Sequence, residues 1–148
     1  MIIYLGADHG GFALKEHIKE KLKAQLHDVI DLGAKELVPG DDYPEFAAAV
    51  ARKVSEGATA DDRGIVFCRS GFGVDIVANK IHGVRSALAM SPEHIAQGRN
   101  DDNVNVLAIA SDFINTAAAE EIVKAFITTP YAGEEKYARR IEEIKKLE

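Results

Sequence analysis

The sequence holds a single cysteine, Cys68, in 148 residues. No intrachain disulfide can form, which fits a reducing compartment and leaves the thiol free for chemistry. Positive charge is not in excess: 18 Lys and Arg stand against 24 Asp and Glu, a net charge of −6. That balance argues against a general nucleic-acid binder, which would be basic. An anionic small molecule is still admissible, because local positive groups matter more than the total. No apolar run approaches the roughly 20 residues that a membrane helix needs. The first residues, Met1-Ile2-Ile3-Tyr4-Leu5, lack a basic segment and a cleavage site, so they read as a strand and the expected location is cytoplasmic. Gly/Ser-rich linkers, internal repeats and low-complexity tracts are all missing, which predicts one compact domain over 1–148.

What is present is an alternation. Short, nearly continuous apolar runs stand at Ile2–Gly6, Asp28–Leu32, Gly64–Cys68, Val84–Ala89 and Val104–Ala110. Runs of this kind suit strands covered on both faces. Helical patterns fall between them, near Phe12–Gln25, Pro44–Ser55, Val74–Asn79, Pro92–Gln97 and Thr116–Thr128, with a charged helix at Glu134–Leu147. Pro44 and Pro92 suit first helical turns. The order predicts an α/β, Rossmann-like three-layer domain with a five-stranded parallel sheet. Ligands of such sheets bind beyond the carboxyl ends of the strands.

The segments that follow the strands therefore carry the candidates. Gly6-Ala7-Asp8-His9-Gly10-Gly11 puts a carboxylate and an imidazole on one turn. Asp8 could hold sugar hydroxyls or cap the next helix, and His9 could donate to an anion or lie at the surface. Cys68-Arg69-Ser70-Gly71-Phe72-Gly73 leads a cysteine into a glycine-permissive helix start. Backbone N–H groups there form an anion site and favour a thiolate. A buried strand-end cysteine is the plainer alternative.

Better-known loops do not fit. Ile76 stands where a dinucleotide fingerprint needs its third Gly, and no Walker A loop occurs. Val74 replaces the Arg of a tyrosine-phosphatase loop, and Cys68 the Asp of a response regulator. Arg99-Asn100-Asp101-Asp102-Asn103 reads by itself as a polar loop. Lys136 and Arg140, four apart on the last helix, either clamp a phosphate or form a solvated face. His17, His27, His82 and His94 lack partners at ligand spacing, so no metal is expected.

Taken together, the pieces resemble the ribose-5-phosphate isomerase B and galactose-6-phosphate isomerase subunit family. The matching stretches are Gly6-Ala7-Asp8-His9-Gly10-Gly11-Phe12, Leu14-Lys15-Glu16, Asp42-Tyr43-Pro44, Gly64-Ile65-Val66-Phe67-Cys68 and Ser70-Gly71-Phe72-Gly73. Further matches are Ala78-Asn79-Lys80, Gly83-Val84-Arg85, Asn100-Asp101, Asn103-Val104 and Arg139-Arg140-Ile141. The resemblance implies aldose–ketose isomerisation of a sugar phosphate through an enediolate, with neither metal nor organic cofactor. It also implies a homodimer with shared active sites, or a tetramer of such dimers. Cys68 would move the proton between C1 and C2, Ser70 would help open the ring, and the N–H groups near Gly71 and Gly73 would hold the enediolate oxygen. Asp8, His9 and Tyr43 would contact the sugar, Asn100 would come from the partner subunit, and Lys136 and Arg140 would meet the phosphate.

Four positions depart from the family pattern. Arg99 replaces a His assigned to ring opening, Arg69 replaces the Gly after the cysteine, Ser111-Asp112 replaces an Arg, and Lys136 replaces a phosphate arginine. Either the positive charge is redistributed onto Arg69 and Arg99 as substrate contacts, or the substrate is a different or unphosphorylated sugar. A catalytically silent sugar-phosphate binder is a third reading, though it would not require Cys68.

Overall fold

A computed structural model describes every residue except 58 and 60. Among the described residues, five strands and six helices alternate along the chain. The strands are β1 (Ile2–Ala7), β2 (Asp28–Asp31), β3 (Arg63–Cys68), β4 (Ser86–Leu88) and β5 (Val106–Ala110). All pair in parallel, in the order β2-β1-β3-β5-β4. The chain therefore turns outward from β1 to β2, then returns to the other side of β1 with β3. That reversal opens a crevice between the carboxyl ends of β1 and β3, the place where parallel sheets bind ligands.

Period-two alternation explains how both faces are covered. Ile3, Leu5, Ile65, Phe67, Leu107 and Ile109 point to one face, and Tyr4, Val66, Cys68, Val106 and Ala108 point to the other. The first face packs on α1 (Phe12–Ala24), α4 (Pro92–Asp102) and α5 (Thr116–Thr128) through Ile18, Ile95 and Phe126. The second packs on α2 (Tyr43–Ser55) and α3 (Phe72–Ala78) through Val50, Ala51 and Val74. The last helix, α6 (Glu135–Lys145), lies on α4 and buries Ile141. No helix among the described residues is long and apolar enough to cross a membrane.

The main departure from the sequence reading is α4, which runs to Asp102 where a polar loop was expected after Gln97. Its buried positions are Ile95 and Arg99, four residues apart and hence on one face. Asn103, at φ 50°, ends the helix in the left-handed region, and the N–H of the next residue, Val104, donates to Gly98 O at 3.2 Å. Strand β4 is also shorter than expected, three residues at the sheet edge.

Candidate active site

Two turns meet at the switch point. In the first, Asp8 follows β1 and is 5% exposed. Its Oδ1 accepts from the N–H groups of Gly10 (3.0 Å) and Gly11 (3.1 Å), which fixes the turn into α1. One carboxylate oxygen thus does structural work, while Oδ2 lies 4.0 Å from His9 Nδ1. The His9 ring is about one-third exposed and sits between two acids. Asp41, in the loop before α2, accepts through Oδ1 from both His9 N (2.7 Å) and His9 Nδ1 (2.8 Å). The Asp41 hydrogen bond, with smaller help from the charge of Asp8, raises the His9 pKa above its usual 6.5, against some lowering by burial.

In the second turn, Cys68 closes β3 with its side chain buried on the α2/α3 face. Gly71 N–H donates to Cys68 Sγ at 3.2 Å. Gly71 sits at φ 75°, in the left-handed region, where an L side chain is strained. A Cβ on Gly71 would also strike Leu88 and come within 3.2 Å of Ala110 N. Ser70 is half-buried on the same turn. The Tyr43 ring, at the start of α2, packs over Gly73, 2.6 Å from where a Cβ would stand. Asp8, His9, Tyr43, Cys68, Ser70, Gly71 and Gly73 thus gather along one edge of the sheet.

Arg69 leaves this turn outward, its stem crossing Gly10. Its Nε pairs with Asp112 Oδ2 at 3.5 Å, and both side chains are about half exposed or more. The backbones run together as well, with Asp112 N–H donating to Arg69 O and Ser111 N–H to Cys68 O. The acid that replaces a family Arg is therefore the partner of the Arg that replaces a family Gly. An exposed pair of this kind is weak, and an anionic ligand could compete for Arg69.

Arg99 does not reach the site, contrary to the expectation of a substrate contact. It is 1% exposed. Its Nη1 donates to Asn103 Oδ1 (2.8 Å) and to Val104 O (2.5 Å), and its Nε to Thr129 O (3.3 Å). The guanidinium also lies 6.0 Å from the Phe126 ring centre. Burial, with repulsion from Arg63 and Arg85, lowers its pKa to about 10, so it remains a cation at neutral pH. Its role in this chain is to tie α4, the segment leading into β5 and the end of α5 together.

Asn100, Lys136 and Arg140 are also away from Cys68. Helix α4 starts at the carboxyl edge of the sheet and finishes at the amino edge, so Asn100 lies at the far end. Ala132 N–H donates to Asn100 O, which places the approach to α6 there too. Lys136 Nζ pairs with Glu134 (3.0 Å) and lies over the Tyr137 ring (4.5 Å), and Arg140 is exposed.

Asp8, His9 and Asp41 form the one group among the described residues whose ligand atoms converge within 4.8 Å. Hydrogen bonding already accounts for that geometry, because Asp41 occupies His9 Nδ1. Asp41 was not singled out by the sequence. It stands 32 positions from His9, and no local pattern links them.

A parallel sheet with acid, imidazole and thiol at its switch point defines an α/β enzyme of the Rossmann-like class. The family model described as Ribose/Galactose Isomerase matches residues 3–144, and the chain belongs to that family. It is 40% identical over 148 residues to ribose-5-phosphate isomerase B of Mycobacterium tuberculosis, covering 100% of this chain and 90% of that one. The structure of ribose-5-phosphate isomerase B from Mycoplasma genitalium with bound ribulose 5-phosphate is similar, with a TM-score of 0.92 and 38% identity. That match covers 99% of this chain and 95% of the other. The isomerase B structure from Clostridium thermocellum gives a TM-score of 0.94 at 33% identity, covering 99% and 97%.

Proposed function

We propose that this chain interconverts ribose 5-phosphate and ribulose 5-phosphate by moving a proton between C1 and C2. The observation that carries the reading is Cys68 Sγ at the switch point, held by the Gly71 N–H beside Asp8 and His9. A carbon acid needs a base near its proton and a donor for the charge left on oxygen. The Cys68 thiolate takes the C2 proton of the open-chain aldose, and the electron pair moves to the carbonyl oxygen to give an enediolate. Backbone N–H groups of the Gly71–Gly73 turn hold that oxygen. The hydroxyl proton on O2 passes to O1, the thiol returns its proton to C1, and the C2 carbonyl of the ketose forms. Asp8 and Ser70 handle hydroxyl protons during ring opening, while His9 and Tyr43 hold the sugar.

A second copy of the chain completes the site. Within one chain the phosphate candidates Lys136 and Arg140, with Asn100, stand at the wrong end of the sheet. The carboxyl edge also carries exposed apolar side chains, Phe72, Ile76, Met90 and Phe113, which suit burial between copies. A free Cys68 fits a cytoplasmic location.

The test is ketose formation from ribose 5-phosphate by the wild-type protein and by Cys68→Ser, with other aldose phosphates and free aldoses alongside. Turnover of ribose 5-phosphate that Cys68→Ser abolishes is the expected result. Turnover of another sugar alone would reassign the substrate, and binding without turnover would leave a silent binder. Mixing inactive Cys68→Ala with inactive Asn100→Ala should restore about a quarter of wild-type activity if sites are shared in a two-fold dimer.

A further inference from the structure

The loop before α2 supplies a carboxylate that the isomerase reading above does not use. Asp41 is 32 positions from His9, yet it accepts from that residue twice through one oxygen, at 2.7 Å from N and 2.8 Å from Nδ1. Its side chain is 13% exposed. The other oxygen, Oδ2, is buried and meets no hydrogen-bond donor among the described residues. A largely buried carboxylate with a single partner is costly unless that partner needs it. His9 is that partner, and holding it accounts for both bonds.

We propose that Asp41 is a positioning residue, which fixes the His9 ring with Nδ1–H turned inward and presents Nε2 outward to an oxygen of the substrate. This rests on the reading of His9 as a substrate contact. Free imidazole favours the proton on Nε2, so an acceptor locked on Nδ1 selects the opposite tautomer when the ring is neutral. When the ring is protonated, both nitrogens donate, and Nε2–H becomes a charge-assisted donor. The charged groups around the ring are Asp8 on the same turn, Asp41 opposite Nδ1 and Arg69, whose stem crosses Gly10. The two acids favour the cation, and the Arg69 guanidinium is drawn toward Asp112. The arrangement makes His9 Nε2 a donor while the ring is protonated and an acceptor once it is neutral.

The experiment is long-range proton–nitrogen NMR of the imidazoles across pH, with His9 assigned through His9→Gln. In the wild-type protein, His9 should show the Nδ1–H tautomer above its titration midpoint. In Asp41→Asn the midpoint should fall by about one pH unit, a tenfold change in proton affinity. The tautomer should shift toward Nε2–H, with Asp41→Glu restoring part of both effects. These signals are read without substrate, so they decide the pairing even if no sugar phosphate is turned over. With turnover in hand, Asp41→Asn should raise KM for ribose 5-phosphate about tenfold near pH 7.5, with kcat within about threefold, and the gap should narrow near pH 5.5 as the ring protonates in both proteins. The same His9 midpoint and tautomer in wild type and Asp41→Asn would overturn the proposal. Altered ring signals with unchanged KM and kcat would overturn its substrate half.

Discussion

Replacing Gly71 by Ala tests whether the Cys68 turn is as constrained as its geometry indicates. At a compatible position the change would stabilise by about 0.5–1 kcal/mol, by restricting the unfolded chain. Here two costs oppose that gain. The residue sits at φ 75°, which costs an L side chain about 1–2 kcal/mol. The new Cβ also strikes the Leu88 methyl and lies 3.2 Å from Ala110 N, so the turn cannot simply recede. Overpacking of this kind adds about 1–3 kcal/mol. The net loss is about 1–4.5 kcal/mol, or roughly 3–16 °C in Tm for a chain of this length. The strain also moves the N–H that donates to Cys68 Sγ, so kcat should fall at least about tenfold, a barrier increase near 1.4 kcal/mol. Scanning calorimetry and steady-state kinetics measure the two effects. Gly73→Ala is the control: the nearest atoms to its Cβ are those of the Tyr43 ring, at 2.6–3.0 Å, and Tyr43 is 37% exposed and can swing outward. A small Tm change with a raised KM is expected there. A Gly71→Ala protein with wild-type Tm and kcat would refute the reasoning.

Arg99→Met should lower stability by about 3 kcal/mol in denaturant titrations, since it strips the donors from Asn103, Val104 O and Thr129 O, while folded protein keeps wild-type kcat. A large kcat loss with normal stability would instead return Arg99 to the active site. Asp31 accepts from Lys15 at 2.9 and 3.0 Å and from Lys19 at 2.9 Å. Burial works to raise the Asp31 carboxyl, but the hydrogen bonds from Lys19, Lys15 and the Gly33 N–H outweigh it and hold the pKa below the ordinary 3.8. A lowered carboxyl pKa stabilises the fold above pH 3.8 and ceases to do so as pH falls through the folded value. Urea titrations from pH 6 to about 3 should therefore show a shallower pH dependence for Asp31→Asn. At neutral pH the same variant should lose about 1–3 kcal/mol, because the fully buried Lys15 ammonium is left with only the partly exposed Glu16 and Ala34 O as partners.

The sheet and its switch point were legible in the sequence because strands covered on both faces form nearly continuous apolar runs. The positions of Asp8, His9, Cys68 and Ser70 were legible for the same reason, since they lie at or just beyond the ends of two of those runs. Three features were not. The polar run from Arg99 hid the last turn of α4, because the buried face there is completed by an arginine stem rather than an apolar residue. The fate of Arg99 itself depended on acceptors from Asn103, Val104 and Thr129, which only the folded chain assembles. Asp41 reaches His9 from a loop with no periodicity to read. Arg69 read as a gained positive charge and Asp112 as a lost one, and only the adjacency of β3 and β5 shows them as a pair.

Proton transfer at Cys68 is the claim on which the account stands. Proton NMR of ribose 5-phosphate with the protein in D₂O, beside Cys68→Ala, tests it most directly. Formation of ribulose 5-phosphate with deuterium entering at the exchanging carbon, both lost in Cys68→Ala, is the predicted result. Exchange and isomerisation that persist undiminished without the thiol would contradict it.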